Sequence, residues 1–503
     1  MTADLYFGNL IRTGAEVASR GLRLAGGLAA LGLCEGDVVA LLLRNDPVYT
    51  DVIPACRAGG FYYCPINWHF SPDEVAFLLA DSGARALIVA ADLYDAVKHL
   101  VPAGVHILLS GDEGSDGIRY EEWLSSCTDY AGSAVSPRGH MAYTSGTTGR
   151  PKGVLRDPWP LGQIADAQRR VDALMAQCFG VIPGCRTLMP APLYHSGPSV
   201  ITQTALRIGE RLVVLPRFDP EETLHAIQAH RIDLVYMVPT MYVRMLKLPQ
   251  EVRARYDVSS LRYIASTGSP CAPEVKRAMI EWLGPKIFET YAASETGLIT
   301  IMSSVEALER PGSAGRPAGE ATVRIVGEDG RDCAVGEVGL VYMRQPAFAD
   351  FTYVGNPAAR QSIERDGLVT LGDMGYLDAE GYLYLCDRAA DMVISGGVNI
   401  YPAEIEHALI GCPGVLDCAV FGVPDEEMGE RLMAAILPEP GTSGAPGVSV
   451  SAAELEAWLR PRIAGFKIPR DVEMVSEFPR DDNGKVAKRK LRAKYWEGRE
   501  RRV

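Results

Sequence analysis

Between about Leu22 and Leu385, short apolar runs alternate with segments whose apolar residues recur every three or four positions. The runs Asp37–Leu43, Ala86–Val89, His106–Ser110, Leu212–Leu215, Leu234–Val238 and Leu261–Thr267 read as buried strands. Pro72–Asp81, Pro220–His230 and Ala272–Leu283 carry the spacing of amphipathic helices. Strand–helix alternation predicts an α/β fold with parallel sheets covered on both faces, because parallel strands need crossover connections. After Ala318 the pattern changes to strand runs broken by Gly and Asp turns (VRIVGEDG, GEVGLVYMR, GYLYLCDR), which predicts a small antiparallel, barrel-like portion.

A second unit begins near Asp387. It shows helices at Pro402–Ile410 and Ala452–Leu459, a strand at Leu416–Phe421, and a loop at Pro438–Val448 rich in Gly, Pro and Ser. The predicted organisation is a large N-terminal domain over 1–387, a hinge at 388–391 and a small α+β C-terminal domain over 392–503. A length of 503 residues fits two or more folding units.

Composition removes several classes. The chain is 47% hydrophobic and 22% charged, which excludes intrinsic disorder and a small disulfide scaffold. Acidic residues outnumber basic ones 63 to 50, so the surface repels a phosphate backbone and general nucleic-acid binding is not expected. The exception is Gly484–Val503, with nine Lys or Arg against two Glu. No apolar run reaches the roughly 18 residues of a membrane span. The first residues lack a basic start followed by an apolar block, so a cytoplasmic protein is expected. Eleven cysteines without a C-x-x-C pair, and eight histidines without H-x-x-x-H spacing, read as reduced thiols and argue against a zinc site.

The densest chemical signal is Tyr143–Gly153 (YTSGTTGRPKG), which follows an apparent strand. Small residues let backbone N–H groups approach an anion, the hydroxyls of Thr144, Ser145, Thr147 and Thr148 add donors, and Gly146 and Gly149 keep the loop open. Lys152 then supplies a point charge. A P-loop NTPase places Lys directly after Gly and before Ser or Thr; here Arg150 and Pro151 intervene and Gly153 follows.

This segment resembles the phosphate-binding signature of the adenylate-forming superfamily, which includes acyl-CoA synthetases, 4-coumarate–CoA ligases, firefly luciferases and the adenylation domains of peptide synthetases. Further segments agree in order and spacing. They are Pro192–Ser196 (PLYHS), Tyr291–Gly297 (YAASETG), Leu371–Asp373 with Asp387 and Arg388, Ser395–Glu404 (SGGVNIYPAE) and Asn483–Lys485 (NGK). The resemblance implies an ATP-dependent acyl-CoA synthetase that forms an acyl-adenylate and releases pyrophosphate and AMP, with ATP, a carboxylic acid and coenzyme A as substrates.

It also implies roles residue by residue. Glu295, behind Ser294, would ligate Mg²⁺ as a hard carboxylate oxygen. Tyr291 would stack near adenine, with Thr267–Pro270 (Ser269 and Pro270 among them) forming the other wall, and Asp373 would hold the ribose hydroxyls. Arg388 would help hold the nucleotide. His195 would orient the reacting carboxylate, with Val238, Pro239 and Thr240 lining the acyl pocket together with Ser266, Gly268 and Ala292. Lys485 would stabilise charge as carboxylate meets α-phosphate. Ser395, Gly396 and Gly397 would face coenzyme A after the mobile small domain turns about the hinge.

Three departures from the family pattern stand out. Ala390 occupies a pivot position usually filled by Asp or Lys, Ala292 replaces the usual Gly after the adenine-side Tyr, and the segment before Leu22 is short. Two rivals stay open from sequence: an enzyme loading a carrier-protein pantetheine, and a non-catalytic nucleotide- or acyl-binding protein. A homodimer is the base-rate expectation.

Overall fold

The computed structural model describes residues 2–111, 117–144, 151–269, 271–396, 398–439, 450–480 and 486–497. By its contacts the chain divides into two compact units, Met1–Val323 with Met343–Val369, and Arg324–Tyr342 with Thr370–Val503.

The first unit contains two sheets of parallel strands. One is wholly parallel, in the order Tyr62–Pro65, Val38–Leu42, Ala84–Ala90, His106–Ser110, Ile118–Arg119. Val38–Leu42 is buried at every position, as a strand covered on both faces must be. The other runs parallel through Asp4–Phe7, Arg211–Val214, Arg186–Met189, Leu234–Tyr236, Tyr263–Ser266 and Ile287–Glu289. Antiparallel Thr300–Ser303 and Ser313–Pro317 continue it past Ile287–Glu289.

The helices begin where local chemistry satisfies their free N–H groups. Pro72–Asp81 starts at a capping box, with the Ser71 hydroxyl accepting from the Glu74 amide and the Glu74 carboxylate accepting from Ser71. Asp219 accepts from the amides of Glu221 and Glu222 at the start of Pro220–His230. Both helices span the residues that their apolar spacing predicts.

The segment before Leu22 is structured. Asp4–Phe7 and Leu10–Arg12 form a hairpin whose first strand pairs with Arg211–Val214, so this short segment completes the sheet edge. A capping box from Thr13 and Glu16 then opens the helix Gly14–Ala30.

The strand Leu368–Leu377, which lies in the second unit from Thr370 onward, pairs antiparallel with Leu383–Arg388, as the Gly- and Asp-broken runs predict. A separate sheet is built on the long hairpin Val415–Asp425 and Gly429–Pro438, with Val393–Ser395, Val398–Ile400 and Asp471–Met474 added to it. Pro402–Ile410 and Ala452–Leu459 contribute Ile405, Leu409, Leu455 and Leu459 to its apolar core.

Candidate active site

The signature segment folds as a β-hairpin. Ala142–Thr144 pairs antiparallel with Lys152–Arg156, which sets Thr144 opposite Lys152 at the two ends of the intervening loop. The loop residues Ser145, Gly146, Thr147, Thr148, Gly149 and Arg150 lie outside the described residues. The hairpin is extended on its other edge by Phe351–Tyr353, with Tyr353 opposite Val154. Side chains two apart share a face of a strand, so Lys152 and Arg156 fall on one side. The Lys152 ammonium lies 5.1 Å from the Tyr353 ring centroid.

Glu295 sits under this hairpin, 7% exposed. Its Oε1 accepts from the Thr144 hydroxyl at 3.0 Å and from the Tyr353 hydroxyl at 3.3 Å. Arg156 lies close by but donates elsewhere: to the carbonyls of Ser294 at 2.7 Å, Glu295 at 2.9 Å and Ala349 at 2.8 Å. Arg156 thus fixes the backbone around Glu295, while among the described residues the carboxylate receives hydrogen bonds from neutral hydroxyls only. Burial pushes the Arg156 guanidinium down to about 10, with Glu295 and Asp350 working against that shift. The donor set therefore suits a magnesium ion carrying phosphate oxygens: a hard, buried carboxylate without a cationic side chain bonded to it among the described residues.

A second group reaches Ser294, the residue before Glu295. His195 is the N-cap residue of the helix Ser196–Ile208, and the Ser196 hydroxyl is 2.9 Å from that of Ser294. Burial pushes the His195 imidazole down to about 4, so it is neutral at pH 7. Thr267 donates to the Thr290 carbonyl at 2.6 Å, and Thr290 donates its amide to Ser266 at 2.9 Å. These bonds tie the loop carrying Ser266 and Gly268 to the one carrying Tyr291 and Ala292. Gly268 has φ +95°, a conformation that disfavours any side chain. Val238 precedes the helix Pro239–Leu246, where Pro239 is buried and Thr240 exposed. Ser269 is exposed beside Gly268, and Pro270 lies outside the described residues.

In the second unit, Asp373 lies across the ladder from Arg388, and the Arg388 Nε is 3.5 Å from the Asp373 carboxylate. Ala390 is exposed; its carbonyl accepts from Arg492 at 3.0 Å. Ser395 ends the strand Val393–Ser395, and Gly396, at φ +58°, donates its amide to the Met428 carbonyl at 2.8 Å. Gly397 and Lys485 lie outside the described residues.

Sequence reasoning missed Arg156, Tyr353 and Ser196. Two-residue alternation from Lys152 would have placed Arg156 on the same face. Tyr353 is remote in sequence and only strand pairing brings it to Glu295. Among the described residues no helix is long and apolar enough to cross a membrane.

The AMP-binding enzyme family profile matches residues 5–350, and the AMP-binding enzyme C-terminal domain profile matches 404–485. The chain is 33% identical to a feruloyl-CoA synthase of Amycolatopsis sp over 490 residues, covering 97% of this chain and 95% of that one. It is 34% identical to the indoleacetate–CoA ligase of Aromatoleum aromaticum, covering 95% and 92% respectively. Among solved structures, the o-succinylbenzoate CoA synthetase of Bacillus subtilis with its acyl-adenylate intermediate superposes with a TM-score of 0.82 at 27% identity, covering 100% of this chain and 96% of that one. That enzyme has also been solved with ATP and a magnesium ion. The chain belongs to the AMP-binding enzyme family of adenylate-forming enzymes.

Proposed function

We propose that the protein activates an aromatic carboxylic acid with Mg·ATP and transfers the acyl group to free coenzyme A. It is an ATP-dependent acid–thiol ligase working through an acyl-adenylate, with release of pyrophosphate and AMP. The observation that carries the phosphate end of this reading is the hairpin of Thr144 and Lys152 over the buried Glu295. Thr144 and Lys152 bracket the triphosphate loop, and Lys152 faces phosphate oxygens with its charge. Glu295 would hold the magnesium ion, which when bound neutralises triphosphate charge.

The carboxylate to be activated is a poor acyl donor, because an oxide would have to leave; AMP is a competent leaving group. Neutral His195 and the Ser196–Ser294 hydroxyl pair border the place where carboxylate and α-phosphate meet. Uncharged, His195 orients an anion without forming an ion pair that would hold the acid in its ground state. Lys485 brings the cation that the two approaching anions require. Asp373 and Arg388 serve the ribose and phosphate portions of the nucleotide, and residues 388–391 act as the hinge of a small domain over 392–503.

Two of the curated relatives are named for ferulate and indoleacetate, both aromatic acids, while others are named for fatty acids; the buried Met237 with Val238, Pro239 and Ala292 offers apolar walls to an aromatic ring. Eleven unpaired cysteines fit a reducing cytoplasm.

The two half-reactions test this reading. Wild-type protein should release pyrophosphate from ATP only when an aromatic acid is added, and should form the acyl-CoA when coenzyme A follows. Lys485→Ala should depress adenylate formation by about 100- to 1,000-fold, yet convert pre-made acyl-adenylate and coenzyme A at near the parent rate. Equal large losses in both steps would assign Lys485 a folding role. Pyrophosphate release without any acyl-CoA product would point to a carrier-protein acceptor.

A further inference from the structure

Three parallel strands deliver their C-terminal ends to one place in the first unit: Arg186–Met189, Leu234–Tyr236 and Tyr263–Ser266. Loops at the carboxyl ends of such strands are where open α/β sheets bind ligands. Tyr236 ends the middle strand, opposite Ala265, and is 3% exposed. Its hydroxyl is directed at the first turn of the helix Ser196–Ile208. A methyl built on Gly197 would lie 3.1 Å from that hydroxyl and 3.4 Å from the Thr267 methyl carbon. An alanine at 197 would displace the phenol from this position by a few tenths of an ångström. The hydroxyl thus emerges between the His195–Gly197 turn and the Thr267–Gly268 loop, where the acyl group is expected.

No described residue hydrogen-bonds this hydroxyl; burial alone raises the phenol's pKa, with no neighbouring charge or partner contributing. The phenol therefore stays a neutral donor at any working pH. Tyr63 and Tyr120, by contrast, are partnered, with Ser199 at 2.7 Å and Asp51 at 3.0 Å, while the hydroxyls of Tyr49 and Tyr242 are buried without a partner. What sets the Tyr236 hydroxyl apart from those two is its place at the carboxyl end of its strand, against Gly197 and Thr267, and pockets for small molecules place a few polar groups among apolar walls to fix orientation.

We infer that the Tyr236 hydroxyl is a specificity contact, hydrogen-bonding a ring substituent of the aromatic acid: a hydroxyl, an alkoxyl or a ring N–H. The inference rests on the acid–thiol ligase reading above and adds the substituent to it. Gly197 is a positioning residue, because it lets the phenol stand where a substrate can meet it.

The experiment measures acid-dependent pyrophosphate release with two matched pairs, 4-hydroxycinnamate against cinnamate and indole-3-acetate against its N-methyl analogue. Wild-type protein should favour the hydrogen-bonding member of at least one pair. Tyr236→Phe keeps the ring and removes the donor, so the ratio of kcat/KM within that pair should fall by about three- to tenfold, with the KM for ATP and the melting temperature retained. Gly197→Ala should lower the same ratio in the parent and add nothing to it in the Tyr236→Phe background. An unchanged ratio in Tyr236→Phe, or equal losses for both members of each pair, would overturn the assignment while acid-dependent pyrophosphate release left the ligase reading intact. Release with saturated fatty acids alone would overturn both the aromatic reading and the contact. Absence of release with every acid would overturn the ligase reading itself.

Discussion

Two buried carboxylates in the first unit, Asp51 and Glu295, are held in opposite ways. Asp51 is 0% exposed and saturated with positive charge: Arg20 donates to it from Nε at 3.0 Å and Nη2 at 2.7 Å, Arg12 approaches at 3.4 Å and Tyr120 adds a hydroxyl. Glu295, 7% exposed, receives two hydroxyls on one oxygen, while the nearby Arg156 donates to backbone carbonyls. A carboxylate buried with its cations is a structural element, because removing either partner leaves an uncompensated charge. One buried beside a cation that is engaged elsewhere retains an electrostatic deficit that a ligand can satisfy. The difference separates a group that holds the fold from one prepared for charge arriving with substrate.

Asp51→Ala gives the largest expected effect. It strands Arg20 and Arg12 and should lower the unfolding free energy by about 3–5 kcal/mol, read by urea denaturation. Specific activity per folded molecule should persist; selective loss of catalysis without destabilisation would reverse the comparison. Glu295→Gln keeps an acceptor for Thr144 and Tyr353 and removes only charge. Adenylation should fall by at least about 100-fold while the melting temperature holds, a split that purely structural roles for Glu295 do not produce.

Proton linkage provides a third probe. Burial depresses both His140 and His195 to about 4, below the ordinary value near 6.5 that applies in the unfolded chain. Between those values the unfolded state binds more protons, so stability is complete above about pH 6.5 and is lost as pH falls toward 4. At pH 5 each imidazole should cost on the order of 2 kcal/mol relative to pH 7. Urea midpoints at the two pH values measure it. Neutral His195 also predicts no inflection near pH 6.5 in the adenylation rate attributable to it.

Lys152→Ala should raise the KM for ATP by about tenfold with every acid tested. An altered acid preference at unchanged ATP dependence would move Lys152 away from phosphate. The smallest effect belongs to Tyr353→Phe, which removes one of the two donors to Glu295. Adenylation should change by about threefold, in a direction set by whether the carboxylate gains freedom to meet metal or loses its aim; a steady-state magnesium titration reads both.

Where the two units carry local patterns, sequence determined the outcome. Apolar spacing defined Pro72–Asp81 and Pro402–Ile410, and the small-residue run at 143–153, with the motifs in register behind it, defined the adenylate-forming class. These features are local, and backbone propensity, capping and anion chemistry act over a few residues. The N-terminal hairpin escaped such reading because Asp4–Phe7 becomes a strand through pairing with Arg211–Val214, far along the chain. Tertiary structure alone decided that Arg156 bonds carbonyls and not the Glu295 carboxylate, and that Tyr353 reaches Glu295. It also decided that the Tyr236 hydroxyl lies against Gly197 with no hydrogen-bond partner among the described residues. Whether a buried polar group is satisfied depends on atoms brought together from distant segments, and no spacing along the chain encodes that distance.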